Sequence, residues 1–350
     1  MKIIRPTLLV NIKRVRNNIS KMKLKVDKHG LKFRPHFKTH QSAEIGNIYR
    51  EFGINSCTVS SLEMAEYFAK NAWRDITIAF PFNKLEIENI NKLASEIYLN
   101  LLITEDDSIE FLQQNLNNKV GIFIEIDAGY NRSGIDSKNN SAIQRIVRKC
   151  NNQTEFKGFL THSGNTYSAK SKAEIIQIHE NTLDKMQNLK TEFSQYNPII
   201  SIGDTPSCST SEDFGCTDEI RPGNFVYFDV MQNYLEVCSV NEIAALIACP
   251  VVSKNADRNE VVIYGGAIHL SKEFLLNEDG SKNFGLVSFG SDFSNPIPHT
   301  FVSSVSQEHG IIQTPSEIFD RIQIGDLLGI YPIHSCLTAN LMKNNTVFIR

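Results

Sequence analysis

The sequence predicts a parallel βα barrel followed by a mostly β domain, and three observations support this fold class. The chain has 350 residues, which is long enough for two domains or for one large barrel with an appendage. Over the first 240 residues, short apolar runs of strand length alternate with longer amphipathic stretches. From residue 242 onward, short β-like runs punctuated by Gly, Pro, Asn and Asp replace the helical periodicity.

Local composition predicts the elements of the barrel. Runs rich in β-branched and aromatic residues predict strands at 76–80, 120–126 and 156–161. Helical spacing predicts helices at 61–70 and 171–191, and Ser60 or Ser61 can cap the first of them. Strand–helix alternation over this length favours parallel strands, and an eight-fold (β/α)8 TIM barrel is the economical closure.

The second domain is predicted from its short β-like runs, which lie at 243–252, 260–264, 301–306 and 321–330. We therefore assign residues 1–240 to the barrel and residues 241–350 to a C-terminal β domain. Residues 1–10 can join either of the two domains.

The bulk composition narrows the function. A formal net charge of −3 gives no field for holding nucleic acid or an anionic membrane. No apolar run approaches the roughly 20 residues of a transmembrane helix, and the N-terminal segment turns basic and polar too early for a signal peptide. The seven cysteines include no Cys-x-x-Cys pair, so no disulfide framework is expected. The sequence therefore predicts a cytoplasmic protein without nucleic-acid or membrane partners.

The most informative segment reads RPHFKTH at 34–40 and follows a short apolar run that would form the first barrel strand. Active sites of such barrels lie at the carboxyl ends of the strands. Lys38 lies there between His36 and His40, and partial desolvation beside cationic groups can free the neutral, nucleophilic form of a lysine amine. Lys38 is a candidate Schiff-base lysine, although an isolated lysine is more often a surface residue near a turn.

Further polar segments follow apolar strands. They read EIDAGYNRSG at 125–134, THSGNTY at 161–167, SIGDTPS at 201–207 and RPGN at 221–224. Small residues and a hydroxyl after a strand suit a backbone nest for a phosphate group. Taken singly, each segment has a plainer alternative, which is an ordinary loop or, for Arg221, a structural salt bridge.

Near the C-terminus, the segment at 331–336 reads YPIHSC. Residues two apart on a strand face the same side, so His334 and Cys336 are expected to face one ion. Imidazole and thiolate together suit zinc, and a site with two protein ligands leaves positions for water or substrate. As a bare pair, a histidine and a buried cysteine are more often packing residues.

Together and in this order, the segments resemble the alanine-racemase-like (fold-type III) pyridoxal-phosphate enzymes. The chain is most similar to their metal-dependent branch, which holds the D-serine dehydratases and D-threonine aldolases. This resemblance implies that Lys38 binds pyridoxal 5′-phosphate and removes the α-proton of the substrate. It also implies further cofactor contacts by Arg132, Tyr167, Gly203, Thr205, Arg221, Gly223 and Asn224.

The resemblance assigns these contacts and the metal more closely. Arg132 would lie near the phenolic oxygen of the cofactor and Arg221 against its pyridine nitrogen. The phosphate would be held by Gly203, Thr205, Gly223 and Asn224. His334 and Cys336 would bind Zn²⁺ or another divalent metal. D-threonine aldolases typically carry Asp at the second metal position, so Cys336 favours a dehydratase.

For function, the resemblance implies a lyase that acts on a β-hydroxy D-amino acid, with conversion of D-serine to pyruvate and ammonia as the leading expectation. The alternatives are a D-threonine aldolase-type or 3-hydroxyaspartate dehydratase-type enzyme and, outside enzymes, a pyridoxal-phosphate carrier. A homodimer is expected by the same resemblance. Two departures bear on the substrate: Leu160 stands where the family often has a tyrosine, and His269 lies in a segment that lacks the acidic residue of the relatives.

Overall fold

The computed structural model describes residues 2–350 and divides into two compact units. The first, which we call the barrel unit, comprises Ser20–Lys38 and Ser42–Gly223. The second, which we call the β unit, comprises the chain up to Ile19, Thr39–Gln41 and Asn224–Arg350. The boundary predicted at residue 240 lies inside the β unit. No helix within residues 2–350 is both long and apolar enough to span a membrane.

The strands and helices are numbered in chain order. The strands are β1 Thr7–Asn11, β2 Lys32–Phe33, β3 Ser56–Val59, β4 Asp75–Pro81, β5 Tyr98–Ile103, β6 Val120–Asp127, β7 Ile135–Asp136, β8 Thr154–Thr161, β9 Ile199–Ile202, β10 Glu219–Ile220, β11 Ala245–Asn255, β12 Glu260–Tyr264, β13 Leu275–Leu276, β14 Lys282–Asn283, β15 Gly285–Phe289, β16 Phe301–Val305, β17 His309–Gln313, β18 Leu327–Pro332 and β19 Thr346–Ile349.

The α-helices are α1 Ile12–Lys28, α2 Ala43–Glu51, α3 Leu62–Lys70, α4 Ile87–Ala94, α5 Asp106–Asn115, α6 Asn140–Lys149, α7 Lys172–Glu192, α8 Thr205–Thr210, α9 Val230–Tyr234, α10 Ala267–Leu270, α11 Ser316–Phe319 and α12 Ser335–Met342. Short 3₁₀ turns lie at Lys84–Glu86, Gly164–Ser168, Ser194–Tyr196, Asn224–Val226, Val240–Glu242, Ala256–Arg258 and Lys343–Asn345.

The barrel unit contains eight parallel strands in the order β2-β10-β9-β8-β6-β5-β4-β3. The two ends of this sheet meet where His36 forms a parallel bridge to Thr58. There the Phe37 N–H donates to the Thr58 carbonyl oxygen at 2.8 Å, and the Thr58 N–H donates to that of Pro35 at 2.9 Å. The predicted eight-stranded barrel is therefore confirmed.

The predicted helices begin at serine caps. Ser61 Oγ accepts a hydrogen bond from the Met64 N–H at 3.2 Å and starts α3. Ser171 Oγ accepts from the Glu174 N–H at 3.2 Å and starts α7. Each bond satisfies one of the backbone N–H groups that a helix start leaves without an intrahelical partner. Of the two serines considered for the first helix, Ser61 is the cap.

A buried ion network lies inside the barrel. Arg34, which is 3% exposed, donates from Nε to Glu219 Oε2 at 2.7 Å and from Nη1 to Asp75 Oδ1 at 2.6 Å. Burial acts to lower the pKa of Arg34, but Glu219 and Asp75 outweigh it and raise that pKa above its ordinary value. The network joins strand β10 to the adjoining β2 segment and to β4 across the barrel interior. An apolar cluster completes the interior and consists of Ala79, Leu102, Phe123, Leu160 and Ile199.

The β unit contains a mostly antiparallel sheet in the order β12-β17-β16-β15-β18-β11-β1-β19. Because β12 also pairs with β11, the six strands from β12 to β11 close on themselves as a small barrel. Strand β1 pairs antiparallel with β11 and parallel with β19, so the N-terminal strand joins the β unit. The prediction of strand at 321–326 is wrong, because these residues form a turn in which the Gln323 N–H donates to Asp326 Oδ2 at 2.7 Å.

The buried ion network should dominate the stability of the barrel. We expect Glu219→Gln to lower the free energy of unfolding by about 3–5 kcal/mol, because it leaves buried Arg34 short of a charge partner. Glu260→Gln is the matched control, since its exposed ion pair with Arg258 should contribute less than about 1 kcal/mol. Urea unfolding of both variants measures the difference. Equal midpoints for the two variants would contradict the assignment.

Candidate active site

Lys38 lies at the carboxyl end of the first barrel strand. The backbone N–H groups of Arg34 and His36 donate to the carbonyl oxygens of Ile220 and Pro222, each at 3.0 Å. The extended segment therefore continues past β2 to His36, and its alternation places residues 34 and 36 on one face. Lys38 lies in the turn that follows at residues 37–40. The Lys38 N–H donates to His36 Nδ1 at 3.3 Å. Lys38 thus follows the first barrel strand in the structure, and its role as the cofactor lysine stays a prediction.

The Arg221 side chain is held by hydrogen bonds to residues of strands β8 and β9. Its Nε donates to Ser201 Oγ at 2.7 Å and its Nη2 to the Thr161 carbonyl oxygen at 2.5 Å. Ser201 Oγ in turn donates to Glu219 Oε1 at 2.8 Å, so Arg221 is tied to the ion network. Burial lowers the pKa of Arg221 to about 10, which still leaves the guanidinium charged at neutral pH. Within residues 2–350, no acceptor is found for its third nitrogen, Nη1.

Two neutral histidines lie among these cations. His162 Nδ1 lies 2.5 Å from the carbonyl oxygen of Gly203, and a carbonyl only accepts, so Nδ1 carries the proton and Nε2 is an acceptor. Burial and the charge of Lys38 lower the pKa of His162 to about 3. Burial, Lys38 and Arg221 likewise hold the pKa of His36 well below its ordinary value.

The turn after β9 carries the residues predicted to hold a phosphate. Asp204 Oδ1 accepts hydrogen bonds from the Ser207 N–H at 2.7 Å and from Thr166 Oγ1 at 3.0 Å, which starts α8. The Thr205 N–H lies 3.5 Å from the Tyr167 hydroxyl oxygen. Ser207 Oγ is buried and has no hydrogen-bond partner within residues 2–350. The turn thus offers an additional hydroxyl, which the sequence analysis did not single out.

Gly203 is required for packing of this turn. A Cβ atom at Gly203 would lie 2.8 Å from the backbone carbonyl carbon of Arg221 and 2.9 Å from its Cβ. Only glycine lets the two segments approach so closely. Gly223 follows Pro222, whose carbonyl oxygen accepts from His36, so it too lies where β10 leads into the site face.

Arg132 lies on the loop after β6. Its guanidinium carbon is 5.2 Å from the centre of the Tyr130 ring, and that ring meets His162 edge-on at 6.0 Å. Ser133 Oγ donates to Glu125 Oε1 at 2.8 Å. The second oxygen, Glu125 Oε2, is buried without a hydrogen-bond partner among the described residues, and burial raises the pKa of Glu125.

Leu160 stands where the family often has a tyrosine. Its side chain is 2% exposed and packs in the apolar cluster with Leu102 and Phe123, so this position offers no polar contact. Its register partner on β6 is Glu125. Its register partner on β9 is Ser201, so buried polar residues stand beside Leu160 on both neighbouring strands.

The placement of His334 and Cys336 on a strand is wrong. Strand β18 ends at Pro332, His334 precedes α12, and Cys336 lies in the first turn of that helix. The helix starts here because Asp229 Oδ2 accepts the Ser335 N–H at 2.9 Å, which satisfies a backbone group that a strand would have used. The two side chains nevertheless meet. Burial acts to lower the pKa of His334, but a hydrogen bond with Cys336 raises it to about 9.

Besides His334, the side chains of Thr39 and Asn224 lie near the Cys336 sulfur within the β unit. Thr39 Oγ1 lies 3.1 Å from Sγ, and Asn224 Nδ2 lies 3.5 Å from it. The side chain of Asn224, predicted to help hold a phosphate, is turned towards Asp229 and this sulfur. No group of three or more His, Cys, Asp and Glu side chains in residues 2–350 is arranged to hold a metal.

The other departure, His269, lies on α10 beside Glu308. Its Nε2 is 3.9 Å from Glu308 Oε2, and its Nδ1 accepts from the Gly266 N–H at 3.2 Å. Burial lowers the pKa of His269. The Gly265 N–H donates to the Glu308 carbonyl oxygen at 2.9 Å, so the fold joins two segments that are distant in sequence.

The structure thus gathers most predicted residues into two groups, one in each unit. The barrel unit groups Lys38, Arg132, Tyr167, Gly203, Thr205 and Arg221 around His162. The β unit groups His334, Cys336 and Asn224. Sequence reasoning missed Ser201, Glu219 and Asp229. Ser201 and Glu219 could have been found from the sequence, because each lies on a strand two residues before a predicted site residue. Positions two apart along a strand share a face.

Comparison with known proteins identifies the chain. Residues 10–230 match the family "Alanine racemase, N-terminal domain", and residues 244–348 match the "Putative serine dehydratase domain". The D-serine dehydratase of Dictyostelium discoideum is 30% identical, over 97% of this chain and 92% of that protein. The D-threo-3-hydroxyaspartate dehydratase of Delftia sp. HT23 superposes with a TM-score of 0.90 at 22% identity, covering 97% of this chain and 93% of that one. The D-threonine aldolase of Filomicrobium marinum gives 0.82 at 17% identity, covering 96% and 88%.

The barrel, its lysine and the appended β unit define an enzyme of the alanine racemase-like, fold-type III class, whose cofactor is pyridoxal phosphate. Within that class the chain belongs to the family of lyases that carry a serine dehydratase domain after the barrel. The fold and family predicted from the sequence are confirmed. The roles of individual site residues stay predictions.

The barrel unit presents groups that fit pyridoxal phosphate. The buried hydroxyl of Ser207, which has no partner among residues 2–350, lies on the turn that begins at Gly203. Arg221 has one nitrogen without an acceptor in the same set of residues. Lys38 and Arg132 add positive charge around the two histidines. Such a field favours a phosphate and a carboxylate.

Acid should destabilise the fold through His162. Because its pKa in the folded protein is about 3 against an ordinary 6.5, the unfolded chain binds more protons between these values. The contribution of neutral His162 to the free energy of unfolding is therefore complete above pH 6.5 and is lost as the pH falls towards 3. We expect a lower urea midpoint at about pH 5 than at about pH 7. His162→Gln should weaken that dependence, and His299→Gln, at an exposed position, should retain it. An unchanged pH profile in His162→Gln would refute the explanation.

Proposed function

We propose that the protein is a pyridoxal-phosphate- and metal-dependent dehydratase of a β-hydroxy D-amino acid, with D-serine as the first substrate to consider. The observation that carries this proposal is the paired His334 and Cys336, whose sulfur lies beside the Thr39 hydroxyl and the Asn224 amide nitrogen. Elimination of a β-hydroxyl needs assistance to its leaving group, which such a pair can provide through a bound metal. Similarity to a D-serine dehydratase over 97% of the chain supports the same function.

The barrel residues have separate roles in this proposal. Bound pyridoxal phosphate supplies an electron sink for the pair of electrons left at the substrate α-carbon. Lys38 holds the cofactor and, once released by the substrate amine, takes the α-proton on Nζ. Arg221, charged and fixed by Ser201 and Thr161, would lie near the ring nitrogen of the cofactor and would disfavour its protonation.

The two neutral histidines limit the positive charge around Lys38. His36 and His162 both have depressed pKa values, so neither adds a cation at neutral pH. The two histidines therefore do not change the electrostatic field at Lys38, the proposed proton acceptor, when the pH varies around neutrality. His162 presents Nε2 as an acceptor because Gly203 fixes the Nδ1 proton.

The β unit supplies the metal ligands in this proposal. A bound divalent metal would supply a Lewis acid for the β-hydroxyl group. Imidazole and thiolate favour zinc, and a set of only two protein ligands leaves several positions for water and substrate. Loss of the α-proton and of the β-hydroxyl as water gives an enamine, and its hydrolysis releases a keto acid and ammonia.

Two relatives favour a second candidate from the same reaction class. The Delftia dehydratase is named for D-threo-3-hydroxyaspartate and is 23% identical over 95% of this chain. The segment that contains His269 lacks the acidic residue of the relatives, and His269 instead lies beside Glu308. The alternative substrate is therefore 3-hydroxyaspartate, which has a carboxylate on its β-carbon. It would lose water, as the name of the Delftia dehydratase indicates, or be cleaved by an aldolase reaction, as the name of the Paracoccus denitrificans aldolase indicates. Racemisation needs no metal at the β-carbon, and a carrier needs no dehydratase domain.

A homodimer and a cytoplasmic location also stay proposals. Light scattering of the purified protein measures the first, and cell fractionation measures the second.

The first test is a coupled assay for ammonia and keto acid with D-serine, D-threonine and both 3-hydroxyaspartate diastereomers. We expect pyruvate from D-serine and a loss of activity in the presence of a metal chelator, because the hydroxyl is a poor leaving group without a Lewis acid. Restoration by added Zn²⁺ is the control. Glycine and an aldehyde as products would replace the dehydratase proposal with the aldolase alternative.

A second test separates the two groups of residues. Cys336→Ala should lower kcat for elimination by at least about a hundredfold, since it removes a metal ligand. It should leave the cofactor absorbance intact, because Lys38 lies in the barrel unit. Cys216→Ala, at another half-buried cysteine, is the matched control and should retain activity. Loss of the cofactor absorbance in Cys336→Ala would contradict this division of roles.

A further inference from the structure

The sulfur of Cys336 lies against two side chains that come from separate parts of the sequence. Thr39 is fully buried, and its hydroxyl lies 3.1 Å from Sγ. Asn224 is also buried, and its amide nitrogen lies 3.5 Å from the same atom. Both distances are within hydrogen-bonding range for sulfur.

The orientation of the Asn224 amide is fixed by Asp229. Asn224 Nδ2 donates to Asp229 Oδ2 at 2.6 Å, whereas an amide oxygen at this position would face the carboxylate and be repelled. An amide nitrogen has two hydrogens, and the second faces both Ser335 Oγ at 3.1 Å and the sulfur at 3.5 Å. Asp229 is itself held, because it also accepts the N–H groups of Gln232 and Ser335.

The direction of the Thr39 contact follows from the charge on the sulfur. Either atom could donate in a neutral thiol pair, but a thiolate can only accept. The hydroxyl of Thr39 therefore donates whenever the sulfur is ionised. Two donors on one thiolate then stabilise its negative charge and limit its rotation.

We infer that Thr39 and Asn224 are positioning residues that hold the Cys336 thiolate for a divalent metal. This inference rests on the proposed function, because it concerns the ligand pair proposed there. Thr39 and Asn224 do not touch the metal or the substrate in this arrangement. They act through the sulfur, as hydrogen-bond partners of metal ligands commonly do.

Metal affinity is the readout that tests the inference. Holoenzyme is freed of metal by a chelator and titrated with Zn²⁺ against a chromophoric competitor. We expect Thr39→Val, which keeps the side-chain shape but removes the hydroxyl, to weaken Zn²⁺ binding by about ten- to a hundredfold. Thr39→Ser keeps the hydroxyl and should restore binding to near the wild-type value.

The controls separate a packing role from a positioning role. Thr39→Val should leave the cofactor absorbance and the melting temperature unchanged, so a loss confined to metal affinity supports the inference. Asn224→Ala provides a second test of the same sulfur and should also weaken Zn²⁺ binding. Wild-type Zn²⁺ affinity in both variants would overturn the inference.

The same titration distinguishes this inference from the proposed metal site. If Cys336→Ala loses Zn²⁺ binding while Thr39→Val and Asn224→Ala retain it, only the positioning role fails. If Cys336→Ala binds Zn²⁺ as tightly as the wild type, the metal site fails, and the positioning role fails with it.

Discussion

The barrel depends on the buried carboxylate of Glu219. One oxygen accepts from Arg34 and the other from Ser201, which in turn accepts from Arg221. A carboxylate that is 1% exposed is tolerable only because every bond to it is made by a cation or by a hydroxyl. Loss of Glu219 would therefore affect two arginines, one that stabilises the closed barrel and one that lies in the site. Stability and site geometry share one group of hydrogen bonds in this unit.

In the β unit, the buried carboxyl group of Asp229 has the role that Glu219 has in the barrel unit. It caps α9, accepts the first N–H of α12 and fixes the Asn224 amide. Burial raises its pKa, but four donors compensate for the loss of hydration. Because α12 begins at this carboxyl group, the positions of His334 and Cys336 relative to each other are set by a helix start. His334 is the N-cap residue with an extended backbone, and an N-cap side chain can fold back over the first turn of its helix. The pair therefore meets although its predicted backbone conformation was wrong.

Much of the fold was predictable because its signals are local. Apolar runs gave β4, β6 and β8, and the serine caps gave the starts of α3 and α7. The Lys38 segment was recognisable because the lysine lies between His36 and His40, directly after an apolar run. The turn at 321–326 was not, because its composition resembles a strand. Gly325 at positive φ, a backbone hydrogen bond from Asp326 to Gln323 and the Asp326 side chain form this turn. The roles of Glu219 and Asp229 were also hidden, since both act through partners that are distant in sequence, such as Arg34 and Ser335.

The donors around Cys336 do not decide between elimination and aldol cleavage. A hydroxyl and an amide would serve a carboxylate at this position as well as a thiolate, since both ligands are anionic acceptors. The second ligand itself, and not its neighbours, therefore separates the dehydratase from the aldolase proposal. A thiolate is the softer and more strongly electron-donating ligand, and it reduces the positive charge that a metal presents to a hydroxyl group. In the proposed site, a metal on Cys336 would consequently rely on open coordination positions to activate the leaving group, and a ligand set of one histidine and one cysteine would provide them.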